Sequence, residues 1–343
     1  MTSQTNNTLR GKYFNIKGLK AIITTNSTII ISVVVIALVL WVFIPQLSNL
    51  KESLKALEGA NKTLLALAVL VFIAGFPIVA YKYCIITPIK LKYWLTLKVQ
   101  IASAFISKLL PMSIGSLTVS TYYLTYATKS VTLAGSTMAL NAATSTTAFV
   151  IIIAFALIGN LNTLTHASTS ASNINWKLIV FILLVVAFIL WRLIHSKKYI
   201  DRIKKGSLEL WQNFKNYKNQ PWKVVGGIVF NGLGSLTGIT TLFICCHAVG
   251  LNVNYAQAIL TYTLGNIVGS LVPTPGGLGG AEAGLYGGLV FFGYNADQSL
   301  IAVLIYRLIS YWLPILPGYL MYRHLRKTVL SDFHIRKNKT VTV

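Results

Sequence analysis

Leu271-Val272-Pro273-Thr274-Pro275-Gly276-Gly277-Leu278-Gly279-Gly280-Ala281-Glu282-Ala283-Gly284 is the stretch that decides the fold. It lies in the middle of an apolar run from about 256 to 292. Proline removes a backbone donor and glycine loosens a helix, so the run should split into two half-helices around the break. Broken backbone inside an apolar run is tolerated where protein or a wet cavity surrounds it. Glu282, in the first turn after the break, is the only acidic residue inside any apolar stretch of the chain. A second apolar run, about 97–126, breaks in the same way at Pro111-Met112-Ser113-Ile114-Gly115.

The composition places these breaks in a membrane. The 343 residues are 55% hydrophobic and 11% charged, with mean hydropathy +0.66. That is too little charge to keep a globular domain in solution. The 30 Lys and Arg against 7 Asp and Glu give a formal charge of +23. In a nucleic-acid binder such an excess would decorate a polar chain, so none is expected as a partner. Six unbroken stretches, about 28–48, 64–84, 133–159, 177–196, 224–247 and 297–322, reach the roughly 20 apolar residues needed to cross the hydrocarbon. The first has no small-residue cleavage site and reads as a retained helix.

Loop charges set the orientation. Of the 30 basic residues, 24 fall in the N-terminal tail, 82–98, Lys129, 192–223 and the C-terminal tail. Placing these inside makes both termini cytoplasmic, in a multi-pass protein of the cell membrane. Each broken run then enters and leaves on one face. The 97–126 run becomes a re-entrant hairpin from the cytoplasmic side, and 256–292 one from the outer side. The expected fold is therefore all-α and polytopic, with six full spans and two oppositely oriented re-entrant hairpins. Residues 1–27 form a cytoplasmic tail, 28–323 the transmembrane domain (halves about 28–159 and 177–322), and 324–343 a basic tail. An offset of 162 residues carries Pro111 and Gly115 onto Pro273 and Gly277, 64–84 onto 226–246, and 133–159 onto 295–321. That register is the pattern of an inverted repeat, whose sites form near the midplane where broken helices meet.

The polar residues inside these segments are the candidate substrate contacts. Arg307 lies ten residues into the last span. It and Glu282 are costly to bury alone and should pair. The pair either locks the outer hairpin to the last span or lines a substrate pathway. Gly276, Gly277, Gly279 and Gly280, with Pro273 and Pro275, put backbone N–H groups and a helix N-terminus at the break, a setting suited to phosphate or carboxylate. Glu282 itself could satisfy those donors, or hold a cationic group. Asn266 caps broken backbone or touches ligand. In the first hairpin, Pro111, Gly115 and Ser116 surround the break, and Lys108 either snorkels to the cytoplasmic interface or faces the same cavity. The following span contains Asn141, Thr144, Ser145, Thr146 and Thr147, whose mid-span hydroxyls should bond back to their own helix. Trp211, Phe214 and Trp222 in the basic linker fit a solvated loop better than a surface-bound segment. The string at 276–282 is neither a dinucleotide fingerprint nor a P-loop. Cys84, Cys245 and Cys246 and five scattered His show no metal-ligand spacing, and no nucleophile elbow is present. No catalytic residue, metal or cofactor is expected.

The 271–284 run closely resembles the family of the lysylphosphatidylglycerol synthase transmembrane region, also called flippase-like domain proteins. Tyr306-Arg307-Leu308-Ile309-Ser310-Tyr311-Trp312-Leu313-Pro314 resembles that family's last span, and Phe105 to Gly115, with Leu109-Leu110-Pro111, its first hairpin. The resemblance covers about 28–323. The family usually has Glu after the glycine of the first hairpin, where this chain has Ser116, and often an Arg near the place of Ala142 to Thr146. The soluble synthase domain has no counterpart here. The resemblance implies translocation of an aminoacylated phospholipid or another charged, phosphate-bearing lipid between leaflets. Its partners would be membrane lipids, anionic or aminoacylated, and a separate lipid synthase is a candidate partner. The alternatives are a membrane-embedded transferase with a lipid-linked donor and Glu282 as base, or an accessory subunit of such a synthase. The absence of a second intramembrane acid favours a transporter over an enzyme.

Overall fold

The computed structural model describes residues 59–110, 114–159, 220–272 and 274–325, all within one compact unit. Among them the chain is helical, without strands. In order come α1 (Lys62–Ile86), α2 (Tyr93–Leu109), α3 (Ile114–Thr128), α4 (Val131–Gly159), α5 (Pro221–Ala248), α6 (Tyr255–Leu271), α7 (Gly280–Phe291), α8 (Ala296–Arg307), a π-helical turn (Leu308–Trp312) and α9 (Ile315–Leu325). Four stretches are long and apolar enough to cross a membrane: α1, α4, α5 and the continuous run Ala296–Leu325. They correspond to four of the six expected spans. The other two, 28–48 and 177–196, lie outside the described residues.

Both expected breaks are breaks. The 97–126 run is α2 and α3, and the 256–292 run is α6 and α7. The 162-residue offset carries the first and last residues of α2 onto those of α6 (Tyr93 and Leu109 onto Tyr255 and Leu271). Local chemistry fixes the ends. The Asn61 side chain accepts from Thr63 N and Leu64 N at 3.0 and 3.2 Å and starts α1. Asn254 and Gln257 form a capping box at α6. Asn295 caps α8 through Asp297 N and Gln298 N.

Small residues bring the half-helices together. A Cβ on Gly284 would lie 2.6 Å from Leu264 O, and one on Gly269 would lie 2.9 Å from Ala281 Cβ. Gly265 and Gly269 on α6, with Gly280, Gly284 and Gly288 on α7, thus form a small-residue seam at four-residue spacing. In the first hairpin a Cβ on Gly115 would overlap Ile106 O. Gly284→Ala is expected to cost about 1–3 kcal/mol by overpacking. Gly287→Ala, on open surface of the same helix, should cost nothing. Thermal unfolding in detergent checks this, and equal effects at the two sites would count against the seam.

Each broken pair packs on a span distant from it in sequence. In the first hairpin, α2 lies against α9, where a Cβ on Gly318 would meet Phe105 Cβ at 2.6 Å; in the second, α6 lies against α4. The equivalent spans α1 and α5 pack on each other, with Gly75 against Thr237 and Gly234 against Val79. The last span is central: 61% of its apolar window is buried inside the protein, against 11% for α1. The outer faces of the other helices expose Leu70, Val131, Phe155 and Ile158, as lipid-facing surfaces do.

Two lysines that the sequence places in cytoplasmic loops lie inside this packing. Lys82 is buried in α1 and its Nζ donates to Asn231 Oδ1 at 3.2 Å, while Asn231 Nδ2 donates to Thr144 Oγ1 at 2.9 Å. Lys223 Nζ donates to the carbonyl of Thr87, just past the C-terminus of α1, where a cation is favoured. The Thr144 and Thr147 hydroxyls bond back to Leu140 O and Ala143 O, as expected.

Candidate functional site

The two helix breaks meet beside the last span. Arg307, the final residue of α8, has a side chain only 10% exposed, and its Nε donates to Glu282 Oε1 at 2.7 Å. The second oxygen, Glu282 Oε2, accepts the Gly279 N–H at 2.8 Å. Glu282 therefore does two jobs at once. It neutralises Arg307 and caps the N-terminus of α7, where a negative charge is favoured. Arg307 Nη2 also points at Gly276 O, at 3.5 Å.

The glycine loop largely bonds to itself. Gly277 N donates to Thr274 O, Leu278 N to Pro275 O, and Ala281 N to Gly277 O. Thr274 Oγ1 donates to Leu278 O at 2.7 Å. Gly276, Gly277 and Gly279 adopt φ of 61°, 69° and 80°, a region that favours glycine. With these groups engaged, the donors expected at the break are mostly used within the protein.

Tyr311, in the π-helical turn, joins the two breaks. It is fully buried. Its hydroxyl donates to the carbonyl of Lys108 at 3.4 Å. The ring lies between two cations, with Lys108 Nζ 5.3 Å and Arg307 Cζ 4.9 Å from its centroid. Gly276 packs on the ring edge, since a Cβ there would lie 2.5 Å from Tyr311 Cε2. The tips of both hairpins thus touch one side chain. A π-helical turn at such a place fits the association of these irregularities with functional positions.

A cavity of about 440 Å³ opens next to this junction. Six of the thirteen residues singled out in the sequence line it: Lys108, Ser116, Asn266, Gly276, Gly277 and Arg307. Lys108 is placed along this space. Asn266 Nδ2 donates to Tyr262 O within its own helix. Glu282, Gly279, Gly280, Pro275 and Gly115 are not among its lining residues. Pro111 and Pro273 lie outside the described residues. The sequence reading missed Gln100, Ser103 and Ser107, which line the cavity on the Lys108 face of α2. Their spacing of three and four residues, ending one residue before Lys108, was the available signal. Phe72, Phe76 and Val79 of α1 form an apolar wall.

Comparison with known proteins bears on what this arrangement is. The family model described as "Lysylphosphatidylglycerol synthase TM region" matches residues 29–318. A "UPF0104 membrane protein" of Methanothermobacter thermautotrophicus is 27% identical over 111 residues, which is 32% of this chain. The match spans about a third (31%) of that relative's length. No solved structure matches.

Proposed function

The chain belongs to the lysylphosphatidylglycerol synthase TM region family, and from that premise we propose that it is a lipid flippase, moving a charged, phosphate-bearing lipid between membrane leaflets. One observation carries the reading. A polar cavity holding two cations lies where two broken helix pairs meet, inside a set of helices long enough to span a bilayer. Phe72, Phe76 and Val79 place an apolar wall beside the polar groups, which suits a ligand with both a charged headgroup and acyl chains.

In this reading the six spans and two re-entrant hairpins form an inverted repeat, with α2/α3 entering from the cytoplasm, α6/α7 from outside, and both termini inside. The Tyr311 junction closes the cavity between the hairpin tips. Lys108, Arg307, Asn266, Ser116, Gly276 and Gly277 contact the headgroup. Glu282 holds Arg307 in place, and with both its oxygens engaged it is poorly suited to act as a general base.

The test is a headgroup-accessibility assay in vesicles reconstituted with the purified chain and a trace of fluorescent anionic or aminoacylated phospholipid. Outer-leaflet quenching should go beyond the half seen in protein-free vesicles. Quenching that stops at half for every charged lipid offered would overturn the proposal. Topology is checked by impermeant-maleimide labelling of Ser170→Cys, expected outside, and Ser207→Cys, expected inside. The reverse pattern would sink the orientation.

A further inference from the structure

The sign of the cavity's charge narrows the cargo. Among the described residues, the cavity wall carries two cations, Lys108 and Arg307, and no carboxylate. The nearby acid, Glu282, has one oxygen on Arg307 and the other on the Gly279 N–H. Arg307 is thereby neutralised, and Lys108 is not. Among the described residues its Nζ has no hydrogen-bond or ion-pair acceptor, only the Tyr311 ring, which it shares with Arg307. An ammonium held inside a membrane protein with no counter-ion calls for an anion.

Its surroundings define the shape of that anion. Gln100, Ser103 and Ser107 continue from Lys108 along one face of α2, so polar groups line the approach. Phe72, Phe76 and Val79 add apolar wall to the same cavity. On α6, which brings Asn266 and Ser270 to the cavity, Leu264, Ile267 and Leu271 are exposed on the outer surface. This arrangement can hold a headgroup inside while its chains stay in lipid. A headgroup bearing a free amine would bring a second ammonium to Lys108 with no carboxylate free to receive it.

We infer that the cavity is selective for an anionic phosphate headgroup without a free amine, bound by Lys108, and excludes aminoacylated lipids. The inference rests on the flippase reading for its physiological sense, but it is tested by binding. The purified full chain in detergent is titrated with short-chain phosphatidylglycerol, with its lysyl ester and with inorganic phosphate, following ligand-induced thermal stabilisation. Phosphatidylglycerol is expected to bind at least about tenfold more tightly than the lysyl ester. Lys108→Gln should remove that preference, Lys108→Arg should keep it, and Lys108→Glu should invert it. The unliganded melting profile of each variant reports whether it has folded, and the Arg variant serves if the others have not.

Equal or tighter binding of the lysyl ester, or an unchanged preference in Lys108→Gln, overturns the inference. Inorganic phosphate binding as tightly as phosphatidylglycerol overturns its lipid part and identifies a free-ion site. The vesicle assay separates the two readings. Selective binding without leaflet exchange leaves this inference standing and removes the flippase. Exchange that favours the lysyl ester does the opposite.

Discussion

Glu282→Gln is expected to lower the stability of the chain by about 3 kcal/mol and to abolish the proposed lipid transport with it. The magnitude, at the low end for a buried pair because Glu282 is partly exposed, follows from leaving Arg307 without its counter-ion. Glutamine keeps one acceptor oxygen, so it can serve the Gly279 N–H or Arg307 Nε, not both. The second charge makes the result diagnostic. Arg307→Met alone leaves Glu282 partly buried and still capping α7. The double variant Glu282→Gln, Arg307→Met removes both charges and should be more stable than the sum of the single losses predicts. A coupling of about 1–3 kcal/mol is expected for groups in direct contact. Chemical unfolding in detergent measures all four corners of the cycle, and a coupling near zero would show that the pair does not hold the hairpin. The cycle also separates the two roles that the sequence left open. If the pair is a lock, stability and transport fall together. If Glu282 touches substrate directly, transport falls while stability holds. The two engaged carboxylate oxygens predict the lock.

Gly276→Ala is the second large effect. At φ 61° an alanine costs about 1–2 kcal/mol in backbone strain. Its Cβ would also sit 2.5 Å from Tyr311 Cε2, so the ring must move. Moving the ring breaks the contact with Lys108 and separates the hairpin tips. The comparison is Gly279→Ala, where φ is 80° but a Cβ meets nothing within 4 Å. That variant should show backbone strain without a ring clash, and Gly276→Ala should also disturb the Tyr311 junction and with it the proposed transport. Adding Tyr311→Leu to Gly276→Ala should recover the steric part of the stability loss. No recovery of stability by Tyr311→Leu in the Gly276→Ala background would show that the ring contact carries no weight.

These residues also mark what a sequence reader can and cannot see. The helix breaks were legible because Pro and Gly act on the backbone that carries them, whatever surrounds it. The pairing of Glu282 with Arg307 was legible because acids are so scarce that a buried one has few partners to choose from. Tyr311 was not, since nothing in an aromatic residue near a helix end says that two distant loops converge on it. Lys82 read as a loop charge because it lies near the end of an apolar run. The partner that makes its burial tolerable, Asn231, is 149 residues away. Lys108 was ambiguous for the same reason. A lysine near a helix end can extend toward water or into a cavity, and only tertiary packing decides.

The packing of the hairpins has a consequence for the continuity of the chain. The first hairpin lies against α9, and the second against α4. Among the described residues, each hairpin therefore takes part of its seat from a helix far away in sequence. Cutting the chain between α4 and α5 would separate both hairpins from those helices.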